Sequence, residues 1–185
     1  MAENKCKNIT VLRECRRQVS YSSLEQFPRP WLDELATEMG RWLHSMDMPG
    51  RMGLFWASDL DSLAADGVFE RSRRQAGGRF ISPGAFRHTL ANMDAAVLAL
   101  ALQITGPVMT FSLGRQMDVA ESSAQRWLTA GRIAAAITVT ESPVPSTAGI
   151  AGGNAMGSGD CRSSTDAGAS IARQVCARYL TLAHQ

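Results

Sequence analysis

Ser82 to Thr140 reads SPGAFRHTLANMDAAVLALALQITGPVMTFSLGRQMDVAESSAQRWLTAGRIAAAITVT, and the order of its parts decides the fold. Thr89–Gln103 carries Leu90, Met93, Ala96, Val97, Leu98, Leu100, Ala101 and Leu102, which leave a helix almost no polar face. A helix apolar all round belongs in a large core or an interface. Gly106-Pro107 ends it, and Val108–Leu113 then reads as a strand. Asp118–Ala130 reads as a second helix, with Asp118 and Glu121 spaced as a capping box and Gly131 placed to close it. Ala134–Thr140, small and β-branched, reads as a further strand stopped by Ser142-Pro143.

The same alternation continues outward. Gly53–Ala57 is a short apolar run that suits a buried strand, and Asp61–Ala76 reads as a helix broken by Gly77-Gly78. The basic cluster Arg71, Arg73 and Arg74 on that helix reads as a solvated face. Trp31–Met46 is amphipathic: Trp31, Leu35, Met39, Trp42, Leu43 and Met46 recur every three or four residues, Pro30 suits the first turn, and Pro49-Gly50 stops it. Asn8–Leu12 is β-prone, and the polar stretch Arg13–Pro30 reads as loop. Ser146–Gly168 is rich in Gly, Ser, Ala and Thr and holds almost no large apolar residue, so a flexible loop is expected. Ala169–Ala183 reads as a closing amphipathic helix, with Ile171, Val175, Tyr179 and Leu182 along one side. Helices alternating with strands argue for an α/β layered fold. The expected organisation is one domain over 1–145, a Gly/Ser-rich loop over 146–168, and a C-terminal helix of the same domain over 169–185.

Composition narrows the function. The 185 residues are 45% hydrophobic and 19% charged, enough for one core and too apolar for a disordered chain. Net charge is only +2, which speaks against a nucleic-acid binder. No apolar run approaches the roughly 18 residues of a membrane span, and no apolar region follows the basic residues before Arg17, so neither a span nor a signal peptide is expected. Cys6, Cys15, Cys161 and Cys176 form no CxxC pair, and His44, His88 and His184 are not at ligand spacing. Free cytosolic thiols, no metal and no cofactor are the expectation.

Catalytic patterns are thin. There is no GxSxG elbow, and Gly152-Gly153 lacks the strand, helix and lysine of a phosphate loop. Ser112 follows a strand-like run and has His88 with Asp94 or Asp118 as conceivable partners, a set that chance supplies in almost any chain of this length.

Ser82-Pro83, Phe86, Thr89, Asn92, the apolar helix, Gly106-Pro107, Thr110-Phe111-Ser112 and the helix ending in Gly131-Arg132 before Ala134–Val139 together resemble β-ketoacyl synthases of the thiolase superfamily. Gly53–Asp61 (GLFWASDLD) looks like the strand and loop that precede this element in short ketosynthase N-terminal-like proteins. The resemblance spans about two-thirds of the chain. It implies a layered thiolase-like half-fold, a mixed sheet with buried helices.

The departures from the family pattern shape what it implies. An active ketosynthase places its cysteine at the turn between this strand and helix, where the helix N-terminus lowers the thiol pKa and backbone N–H groups hold the oxyanion. Five residues after Thr110 stands Arg115, which cannot be acylated, and no cysteine lies between Cys15 and Cys161. The family's two active-site histidines belong to a C-terminal half for which these residues have no counterpart.

What remains resembles the chain-length factors of type II polyketide and aryl-polyene systems, including a short class of such proteins. These pair with an active β-ketoacyl-ACP synthase as a heterodimer and meet acyl carrier protein only indirectly. The resemblance implies partner-tunnel or interface roles for Ala85, Phe86, Thr89 and Met93, with His88 beside them, and no catalytic residue in this chain. A different class stays open: a small enzyme of polyketide- or fatty-acid-type synthesis acting alone, such as a malonyl-ACP decarboxylase or thioesterase, with Arg115 as an enolate-stabilising cation. A cytoplasmic location goes with either.

Overall fold

The computed structural model describes residues 9–20, 25–26, 29–45, 51–58, 62–75, 77, 82–112, 118–143 and 173–182. Its elements in chain order are β1 (Ile9–Val19), α1 (Pro30–His44), β2 (Met52–Ser58), α2 (Leu63–Gln75), α3 (Pro83–Arg87), α4 (Met93–Ala101), β3 (Val108–Ser112), α5 (Val119–Thr129), β4 (Ala135–Pro143) and β5 (Arg173–Leu182). No described helix is long and apolar enough to cross a membrane.

The strands form one mixed sheet in the order β1-β5-β4-β2-β3. β2 runs parallel to both β3 and β4, while β5 is antiparallel to β4 and β1. Every residue of β2 is buried, as a parallel strand covered on both faces must be. Its alternate residues serve different layers. Leu54 and Trp56 face α1 and α4, joined by Ile137, Val139, Val175, Ala177 and Tyr179. Phe55 and Ala57 face α5, joined by Ala136, Leu180, Ala124 and Leu128. Crossing from β2 to β3 and then back over β2 to β4 reverses direction along the sheet. Right-handed crossovers therefore put α4 and α5 on opposite faces.

Local chemistry explains the element ends. Pro30 opens α1, and its Trp31, Leu35, Met39 and Leu43 are buried as the spacing predicts, with Trp42 packed at the margin; Met46 lies outside the described residues. Gly106 sits where the chain presses on β2: a Cβ there would stand 1.9 Å from the Met52 carbonyl oxygen, so only glycine fits before Pro107 accepts the Leu54 N–H at 2.8 Å. Gly131 closes α5 with φ +67.

Four sequence readings change. Residues 173–182 form β5 and not a helix: Arg173, Val175, Ala177 and Tyr179 alternate inward with period two between β1 and β4, and this overrides the four-residue spacing of the apolar positions. The expected loop over Arg13–Pro30 begins as strand, because β1 pairs with β5 through Val19 and lets its charged side chains point to solvent. The apolar helix is shorter, Met93–Ala101, and buries Ala95, Leu98 and Ala99 while Leu100 stays 81% exposed. The capping box does not form, since Asp118 has helical backbone angles and Glu121 accepts instead from Arg178 Nη1 at 2.7 Å. The expected loop over 146–168 lies outside the described residues.

Candidate functional site

The segment from Ser82 to Met93 connects α2 to α4 and carries all five predicted interface residues. Ser82 Oγ accepts the Ala85 N–H at 3.2 Å, and Pro83 supplies the first turn, so α3 starts sharply. The turn after it is tightened by Thr89 Oγ1, which donates to the Phe86 carbonyl at 2.7 Å. Ala85 is fully buried and His88 nearly so. Phe86 is 61% exposed, its ring 5.5 Å from that of Phe69, and Leu90 is 57% exposed. Thr89 and Met93 are half-buried. The predicted group thus divides into a supporting pair, Ala85 and His88, and residues that reach the surface.

Beneath this segment lies a cluster of buried charge. His88 Nδ1 donates to Asp94 Oδ1 at 2.7 Å, since the other Asp94 oxygen is already held by Arg29 Nη1. Arg29 caps α1, His88 caps α3 and Asp94 stands in the first turn of α4, so three pieces of chain meet on one carboxylate. Close by, Ser58 Oγ donates to Glu141 Oε2 at 3.0 Å. Glu141 Oε1 finds no hydrogen-bond partner among the described residues. Burial raises the Glu141 carboxyl to about 7, and the Asp94 charge adds to the rise; the Ser58 hydroxyl, Arg29 and Arg173 oppose it. Arg173, 1% exposed, completes the cluster from β5.

Topology explains the place. Ser58 at the end of β2 is in register with Glu141 of β4 and with Ser112 of β3. The chain reverses its course across the sheet at the β2–β4 boundary, and α/β folds put ligands at the carboxyl ends of strands at such a point. Among the described residues, that position holds the protein's own buried charges. Two surface clefts, of about 520 and 450 Å³, lie elsewhere: one between Gly40, Leu43 and His44 of α1 and 101–103 at the end of α4, the other between 17–20 and the start of α1; neither includes the cluster.

Of the other sequence candidates, Arg115 lies outside the described residues. Ser112 ends β3 exposed, and the carboxylate bound to His88 is Asp94 and not Asp118. Sequence reasoning missed Arg29, Ser58, Glu141 and Arg173 altogether. The available signal was Glu141, a lone acid closing a strand of small and β-branched residues.

No family model matches the sequence, and no curated protein does. Solved structures do. One, titled a ketosynthase (ApeO) in complex with its chain length factor (ApeC) from Xenorhabdus doucetiae, superposes with TM-score 0.56 at 12% identity, over 97% of this chain and 80% of that one. Another, the ishigamide ketosynthase/chain length factor, gives TM-score 0.55 at 16% identity, over 75% of this chain and 38% of that one. The fold is therefore the ketosynthase and chain-length-factor fold, and the thiolase-like α/β layering expected from the sequence is borne out.

Proposed function

We propose that the chain is a non-catalytic ketosynthase-like subunit, a chain-length factor, that pairs with an active β-ketoacyl-ACP synthase and shapes its acyl tunnel. The fold match to ketosynthase and chain-length-factor pairs supports the family of roles. One observation carries the pairing: the segment from α3 into β3 leaves four large apolar side chains uncovered. Seven large apolar side chains are exposed among the described residues, and Phe86, Leu90, Leu100 and Val108 belong to this one segment. β3 is also an edge strand, with VMTFS and no charge. An apolar surface beside an uncharged edge is a place for a partner chain. The absence of any cysteine between Cys15 and Cys161 supports a role without acyl transfer.

In this role Phe86 and Leu90 meet the partner, and Thr89 and Met93 limit the space left for a growing acyl or polyene chain. Packed walls deform little, so added bulk shortens the product. The test is co-expression with the ketosynthase encoded nearest to it, with mass read by light scattering after size exclusion. A one-to-one complex is expected. A well-behaved monomer that ignores the ketosynthase overturns the reading, and turnover of malonyl-ACP by the isolated chain would then favour a decarboxylase. Within the complex, Thr89→Leu should shorten the products seen by mass spectrometry and Met93→Ala should lengthen them.

A further inference from the structure

We propose that Arg29, Asp94 and His88 form a buried latch that fixes the 82–93 segment on the sheet and so sets the face it offers to a partner subunit. The consequence for pairing rests on the chain-length-factor reading; the latch itself does not. The first half of the segment rests on α2, where the Ser82 N–H donates to Ser72 Oγ at 3.3 Å and the Phe86 ring lies 5.5 Å from Phe69; the second half has no such support among the described residues. α3 is five residues long, far below the roughly 12 that a helix needs to persist by itself. Of its large side chains, Phe86 and Leu90 point outward, and the residues buried between Ser82 and Asn92 are Ala85 and His88. An alanine methyl anchors weakly, and between Phe86 and Asn92 only His88 is buried, so the second half of the segment depends on His88.

His88 reaches a carboxylate that is itself tied from the other side. Asp94 is 15% exposed at its side chain, Arg29 4% and His88 8%, so water competes poorly for these bonds. Arg29 precedes α1, whose apolar face is packed into the main core. The chain of contacts thus runs from the core through Arg29 and Asp94 to His88 and the turn that presents Phe86, Thr89 and Leu90. These are positioning residues: none needs to touch the partner.

Amide hydrogen exchange on the full chain tests this, with His88→Ala, His88→Asn and Asp94→Asn. Asparagine places its Nδ2 donor near the histidine Nδ1 position, so it keeps the bond that alanine loses. His88→Ala should raise exchange about tenfold over residues 84–93 while β2 and β4 amides keep their wild-type rates, as local opening requires. His88→Asn should restore wild-type rates, and Asp94→Asn should exceed His88→Ala over the same residues. If Asp94→Asn does not fold, the alanine and asparagine pair at His88 decides alone. Unchanged rates over 84–93, or a rise spread equally through the sheet, overturns the latch.

Pairing with the co-expressed ketosynthase is measured on the same variants and on Leu90→Asp. Weaker pairing for His88→Ala than for His88→Asn is expected. If Leu90→Asp loses pairing while His88→Ala keeps it, the latch does not set the face. If even Leu90→Asp pairs normally, the partner reading fails and the exchange contrast still judges the latch.

Discussion

The two edges of the sheet handle charge in opposite ways. At β1, charge is outside: Arg13, Glu14, Arg16 and Arg17 stand on the strand, Glu14 pairs with Arg16 and with Arg178, and Arg17 reaches Glu34 and Glu38 at 2.7 Å each. At the carboxyl ends of β2 and β4, charge is inside. Arg29, His88, Asp94, Glu141 and Arg173 are covered, while Phe86, Leu90, Leu100 and Val108 face solvent. A charged edge resists pairing with another chain, and an apolar one invites it. The comparison separates an edge whose outward charges are paired, with Val11 and Leu12 exposed beside them, from an edge strand that carries no charge.

The largest expected effect lies in the buried half. Glu141 is faced by Ser58 of β2, Asp94 of α4, Arg29 before α1 and Arg173 of β5, with His88 one bond further out. Its carboxyl titrates near 7 in the fold, above the 4.5 of an ordinary glutamate. The folded chain therefore holds a proton that the unfolded chain releases. This contribution is fully present below about pH 4.5 and is lost as pH rises through 7, about 3 kcal/mol in all. Urea unfolding at pH 5 and pH 8 should show the decline, and Glu141→Gln should flatten it and be the more stable form at pH 8. A wild-type stability that climbs across this range would remove Glu141 from the account.

Next comes the exposed apolar face. Phe86→Asp leaves the core untouched, because the ring is mostly in water and lies beside Phe69, which is outside the core clusters. Hot-spot truncations typically cost about 2 kcal/mol or more, so ketosynthase pairing should weaken by about thirtyfold. Arg16→Asp at the charged edge should leave pairing as it was. Equal losses at both edges would erase the distinction drawn between them.

How much of this the sequence disclosed follows from the same division. Elements whose burial is apolar were legible: the stripe from Trp31 to Leu43, the run Gly53–Ala57 and the strand from Ala134 all stand where spacing placed them. The charged helix α2 was legible as well, but the strands that carry charge were not, or only in part. The start of β1 reads as strand, but from Arg13 it reads as loop because its arginines and glutamates belong to an exposed strand face, and its partner β5 lies more than 150 residues away. β5 reads as a helix because Arg173 and Ala177, two of its inward residues, do not look like core. Burial of Arg29, Arg173 and Glu141 follows from groups on five separate pieces of chain, which no local pattern records. His88 was visible as a neighbour of the predicted interface residues, but its place beneath them came from Asp94 and Arg29.

The smallest effect belongs to the charged edge itself. Arg16 and Arg178 hold the Glu14 carboxyl below its ordinary value, Arg16 contributing most. That stabilisation is present above about pH 4.5 and is lost as pH falls, opposite in sign to Glu141. Its size is limited by exposure: Arg16 is 59% and Glu14 31% exposed at the side chain, where solvent screens the pair. Glu14→Gln should accordingly shift the urea midpoint barely at all, and about 0.5 M salt should erase what shift there is, since the Debye length is then only about 4 Å. A loss comparable to that of the buried half would mean that β1 is held by its ion pairs and not by its ladder with β5. The contrast between the two edges would then be one of position alone, because both would depend on charge for their structure.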